Sequence, residues 1–131
     1  MKKINCVLLI DDDSTTNFLN ESVIQELNIT KGTKVLTDAE EALHFLRNQC
    51  GEDCPELIFL DIKMPGMDGF EFLEELNAIM ITEKERIKVV MLSSSLLPKE
   101  VEQARELGAV DFIQKPLTTA KVARIAELHF N

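Results

Sequence analysis

Short apolar runs alternate with longer stretches in which apolar residues return every three or four positions, and the alternation repeats five times along the chain. The runs Val7 to Ile10, Leu57 to Leu60, Val89 to Leu92 and Val110 to Ile113 are too short for helices and predict strands, most of them buried on both faces. The first strand extends over 5–10, and a further strand, the weakest of the five patterns, is predicted over 34–37. Between the strands, the first helix begins with Ser14 as its cap and turns Leu19, Val23, Ile24 and Leu27 inward. The second starts with Asp38 and Glu41 in capping-box spacing and places Ala39, Ala42, Leu43 and Leu46 on one face. The third starts near Gly69 and carries Phe70, Leu73 and Leu76, and the mixed segment 79–86 predicts a lengthened connection after it. The fourth opens at Pro98 and stops at Gly108, with Val101, Ala104 and Leu107 between them. The fifth runs from Thr118 with Val122, Ile125, Ala126 and His129 on one face. Strands alternating with helices predict βαβ units and an α/β fold on a parallel sheet.

The polar residues that follow the strands carry the chemistry. Asp11, Asp12 and Asp13 follow the first strand, Asp61 the third, Ser93 the fourth, and Lys115 with Pro116 the fifth. In an open parallel sheet the carboxyl ends of the strands converge on one crevice. Ionised side chains at the mouths of buried strands are costly to hold there, which points to chemistry and not to packing. Carboxylates, a hydroxyl and an ammonium together suit a divalent metal and a phosphoryl group.

Charge narrows the partners. With 14 basic and 23 acidic residues in 131, the net charge is -9, so the counterion release that drives nucleic-acid binding works against this surface and no direct nucleic-acid contact is expected. The start MKKINCVLLIDDD is too short in its apolar part for a signal peptide and ends in three aspartates. No apolar stretch approaches the roughly 20 residues of a membrane span, so no membrane insertion is expected. Cys6, Cys50 and Cys54 have no second pair to complete a zinc site and read as reduced thiols.

These motifs together resemble the receiver domains of two-component response regulators, over nearly the whole chain. The resemblance implies a flavodoxin-like, doubly wound five-stranded parallel sheet, (βα)5, with strand order 2-1-3-4-5. It also implies a single stand-alone receiver domain over 1–131, cytoplasmic, with no residues left for an output domain. Residue by residue it implies that Asp11 and Asp12 are the acidic pair, Asp61 the phosphoacceptor, Ser93 the switch hydroxyl, Phe112 the switch aromatic and Lys115-Pro116 the lysine and proline of a peptide that is often cis. The 22-residue step from Ser93 to Lys115 selects Ser93 over Ser94 and Ser95. A Mg²⁺ ion would be held by Asp12 and Asp61, by Asp11 through water and by the backbone carbonyl of Lys63. The implied partners are a sensor histidine kinase or histidine phosphotransfer protein, and a downstream protein that reads the face of the fourth helix, fifth strand and fifth helix. The output is altered binding and not a released product, so the chain is no enzyme beyond its own aspartyl phosphorylation and dephosphorylation.

Blander roles compete at several of these positions. Asp13 reads as a helix cap or a solvated acid, Asp68 as the residue that ends a turn and starts the third helix, and Phe112 equally as core or switch. His44 and His129 have no neighbouring ligands and read as surface or packing residues. A second functional reading starts from Asp11, Asp13 and Thr15, a D-x-D-x-T pattern that resembles haloacid-dehalogenase-type phosphohydrolases with Asp11 as nucleophile. It leaves the segment DIKMPGMDG without a role.

Overall fold

The chain is described by a computed structural model over residues 3–48, 54–79 and 87–130. Its elements alternate strictly: β1 (Val7–Ile10), α1 (Ser14–Leu27), β2 (Thr33–Leu36), α2 (Ala39–Asn48), β3 (Leu57–Asp61), α3 (Gly69–Ala78), β4 (Lys88–Ser93), α4 (Pro98–Glu106), β5 (Asp111–Gln114) and α5 (Thr119–His129). All strand pairs are parallel, in the order β2-β1-β3-β4-β5, as expected of the flavodoxin-like sheet.

The apolar runs are continuous because the sheet is covered on both faces. Leu8, Ile10, Ile58, Leu60, Val89 and Met91 point into one core with α2, α3 and Ala104 of α4. Their neighbours Val7, Leu9, Leu57, Phe59, Val90, Leu92 and Ile113 point into the other, with α1 and α5. A strand's side chains alternate between faces, so two cores require an apolar residue at every position.

Several helix details depart from the sequence reading. Asp13, not Ser14, caps α1, its carboxylate accepting from the Thr15 N–H, because Ser14 already has helical backbone. That start fixes the phase of the helix: Asn17, Asn20 and Ile24 face inward, Val23 and Leu27 are half-buried, and Leu19 is 57% exposed instead of inward. In α3 the inward face is Gly69, Phe72, Leu73 and Leu76, so Phe72 is fully buried and Phe70 only partly. The Asp68 cap of α3 is reciprocated by Glu71, a complete capping box. Thr118 caps α5, and Gly108 follows α4 at φ 98°, a backbone region that favours glycine. The second and fifth strands are shifted by one residue from the predicted ranges. The predicted connection over 79–86 lies, beyond Ile79, outside the described residues. Cys54 is disulfide-bonded, which corrects the reduced-thiol reading at that position. It stands half-buried ahead of β3, packed against the margin of the core. Cys50 lies outside the described residues.

Candidate functional site

The parallel register brings the predicted site residues to one end of the sheet. Ile10 is level with Leu60, Asp61 with Leu92 and Ser93 with Gln114. Pairing continues just past the strands: Asp11 N–H donates to the Leu36 carbonyl (3.3 Å), Ile62 N–H to Leu92 (3.1 Å) and Lys115 N–H to Ser93 (2.7 Å). The loops therefore leave the sheet at defined heights, and their first side chains meet over its edge. They form a cleft of about 240 Å³ lined by Asp11, Asp12, Asp61, Lys63, Ser93 and Lys115 among others. Every sequence-predicted site residue except Phe112 faces this cleft.

Its centre is an ammonium between two buried acids. Lys115 Nζ lies 2.8 Å from Asp61 Oδ1 and 3.0 Å from Asp11 Oδ2. Asp11 and Asp61 are 3% and 5% exposed, whereas Asp12 is open to solvent. Burial pushes the Asp61 carboxyl above the usual aspartate range; the Lys115 hydrogen bond opposes this, and the charges of Asp11 and Asp12 add to it. Burial pulls the Lys115 ammonium down, but its hydrogen bonds and charge interactions with Asp61 and Asp11 outweigh that and leave it above its ordinary value. The asymmetry has a simple origin: Lys115 meets two carboxylates, whereas Asp61 meets one ammonium and two like charges.

Carboxylate oxygens of Asp11, Asp12 and Asp61 lie within 4.8 Å of one another. Such a set of hard oxygen donors fits a Mg²⁺-type cation, which takes oxygen ligands and retains several waters. Asp13 also borders the cleft, but its carboxylate accepts from Thr16 Oγ1 (3.0 Å) and Thr15 N–H (3.0 Å), bonds that hold it below the usual aspartate range. The cap reading of Asp13 is thus borne out, and the second acid of the D-x-D-x-T pattern is occupied locally. Ser93 is buried, and its Oγ accepts from the Ser95 N–H at 3.2 Å. Phe112 is half-buried, packed against the core on the α2–α4 face, and lines a separate cavity of about 300 Å³ with Val101 and Ala104 of α4. The Lys115-Pro116 peptide is cis.

Two supporting residues escaped the sequence reading. Asn17 is buried, and its Nδ2 donates to the Asp11 carbonyl at 2.8 Å, which ties α1 to the acidic loop. A buried polar side chain calls for such a partner, but the hydrophobic pattern did not mark Asn17 as inward. Gly69 opens α3 directly against β3: its N–H donates to Ile62 O at 2.7 Å, and a Cβ there would sit 2.7 Å from the Asp61 carbonyl oxygen. Only a residue without a side chain allows that approach.

Comparison with known proteins agrees with this geometry. A family model described as response regulator receiver domain matches residues 7–127. The transcriptional regulatory protein MalR of Bacillus subtilis is 32% identical over 110 residues, 84% of this chain and 43% of that protein. Protein-glutamate methylesterase/protein-glutamine glutaminase 2 of Pseudomonas syringae pv. tomato is 35% identical over 123 residues, 92% of this chain and 31% of that protein. The chain thus spans less than half the length of either relative. Among solved structures, a two-component response regulator from Cytophaga hutchinsonii superposes with a TM-score of 0.89 at 30% identity, covering 97% of both chains. Sheet order, the acids at the strand ends and the family match over 7–127 agree, and the chain belongs to the response regulator receiver domain family of two-component signalling.

Proposed function

We propose that this receiver accepts a phosphoryl group on Asp61 from a phosphohistidine of a sensor kinase or histidine phosphotransfer protein, and signals by altered binding. The observation that carries the proposal is the Lys115 ammonium held 2.8 Å from Asp61 beside a three-carboxylate cluster. An Asp61 carboxylate oxygen attacks phosphorus, the new O–P bond forms as the donor N–P bond breaks, and the electron pair leaves on the imidazole nitrogen. Lys115 neutralises charge on the transferring oxygens, and Ser93 donates a hydrogen bond to the acyl phosphate. Asp12 and Asp61, with Asp11 through water and the Lys63 carbonyl, would hold Mg²⁺, which supplies further charge neutralisation when bound. Phe112 then follows Ser93 and alters the surface of α4, β5 and α5 for a downstream protein. The reading carries a cytoplasmic location, a single receiver domain over 1–131, and neither nucleic-acid contact nor membrane insertion. No helix among the described residues is long and apolar enough to cross a membrane.

Mass spectrometry after incubation with Mg²⁺ and a small acyl-phosphate donor tests the nucleophile. One phosphoryl increment should map to Asp61 and vanish in Asp61→Asn. An increment on Asp11 would overturn the assignment in favour of dehalogenase-type chemistry.

A further inference from the structure

Lys115 must be aimed as well as present, and the loop that carries it has its own fastening. Lys121, in the first turn of α5, donates from Nζ to the Gln114 carbonyl at 2.8 Å and to the Pro116 carbonyl at 3.0 Å. These two carbonyls bracket Lys115 in the chain. Both bonds of the ammonium go to neutral carbonyls, so it acts as a clasp on backbone and not as half of an ion pair. A charged donor makes such bonds roughly twice as strong as neutral ones. The root of Lys121 is fixed in turn, because its own N–H donates to the capping Thr118 Oγ1 at 3.2 Å. On the other side of the loop, Lys115 N–H is bonded to Ser93 O and Gln114 Nε2 reaches Ser94 O at 3.3 Å. The loop is therefore held from β4 on one side and from α5 on the other, and among the described residues Lys121 supplies the two side-chain bonds from α5.

We infer that Lys121 is a positioning residue for the phosphotransfer site, fixing the backbone on either side of Lys115 so that its ammonium stands over Asp61. This inference rests on the reading of Asp61 as phosphoacceptor. Lys121 is not among the residues that line the cleft, so its effect passes through the loop that carries Lys115. That gives it a distinctive signature. Lys115 opposes cation binding, since its ammonium lies within 3.0 Å of both buried acids. Loosening the clasp should therefore slow phosphoryl transfer while leaving Mg²⁺ affinity unchanged or raised. A general loosening of the site would lower both together.

The test compares wild type with Lys121→Met, which keeps the length without the charge, and Lys121→Arg, which keeps a cationic donor. Phosphorylation rate with a small acyl-phosphate donor, Mg²⁺ affinity, and hydrogen exchange at the Lys115 amide are measured on each. In Lys121→Met the rate should fall by at least several-fold, bounded by the roughly 100-fold that a 1 Å misplacement can cost. The Lys115 amide should exchange faster, Mg²⁺ affinity should not fall, and Lys121→Arg should recover the rate and the protection. An unchanged rate in Lys121→Met, or rate and Mg²⁺ affinity falling together, overturns the inference. If wild type takes no phosphoryl group, the proposed function fails by itself. The exchange measurement then decides the clasp, and unchanged protection at Lys115 in Lys121→Met rejects it.

Discussion

Asp61 is an acid held where its charge is disfavoured, and that leaves a mark on stability. Its folded value is raised above the ordinary 3.8, so between these values the native state binds the proton more tightly than the unfolded chain. Stability from this group is therefore lost as pH rises through that window, and the full penalty is present above it. Replacing Asp61 by asparagine imitates the protonated form without the titration. Asp61→Asn should be more stable than wild type at neutral pH, and the gain should shrink to nothing as pH falls below 3.8. Urea unfolding at a series of pH values without divalent cation checks this. Equal stability at every pH would show that Lys115 already offsets the burial of Asp61.

At the scale of elements, the approach of α3 to β3 decides where Asp61 stands. A Cβ on Gly69 would lie 2.7 Å from Asp61 O and 2.9 Å from Ile62 Cα, and backbone cannot swing aside as a flexible side chain can. Gly69→Ala should cost about 1–3 kcal/mol, as overpacking does. It should also weaken Mg²⁺ binding, because the atoms that must shift belong to Asp61 and its neighbour. Asp13→Ala, which removes a cap whose carboxylate is already engaged by Thr15 and Thr16, should cost about 1 kcal/mol and leave Mg²⁺ binding nearly unchanged. Denaturation and metal titration of the two variants separate the cases; matching effects on the metal would refute the distinction. This element scale is also where the sequence was least legible. The central strands, the second helix and the polar residues at the strand ends could be read because β1 and the interiors of β3 and β4 are buried on both faces and apolar throughout, whereas β2 and β5 carry polar residues and were placed one residue off. The inward face of α1 could not, because Asn17 and Asn20 occupy it and Leu19 lies outside. The role of Gly69 was equally hidden, since contact with a strand through absent atoms leaves no hydrophobic pattern.

For the whole molecule, the acidic cluster should link metal binding to stability. A cation that binds only the folded chain adds about 2.7 kcal/mol at 100 times its dissociation constant. Mg²⁺ should accordingly raise the unfolding temperature of wild type and do so much less in Asp12→Asn; an identical response in both would remove Asp12 from the metal site. Phosphorylation should travel farther than metal. Ser93 lies in the cleft and Phe112 beside the cavity under α4, so amide shifts on addition of a phosphoryl mimic should extend from Asp61 to Phe112 and Val101. Shifts confined to the cleft would sink the switch.

The pairing of β1 with β3 has a consequence for when the molecule becomes competent. The strand order divides the sheet into β2-β1, drawn from the first part of the chain, and β3-β4-β5, drawn from the rest. Asp11 and Asp12 belong to the first block, Asp61, Ser93 and Lys115 to the second, and the ladder from Val7–Leu57 to Ile10–Leu60 is the seam between them. Asp61 therefore meets Asp11 and Asp12 only when that seam closes, across about fifty residues of chain. A half-assembled chain carries every one of these side chains and yet brings the five of them to no common cleft.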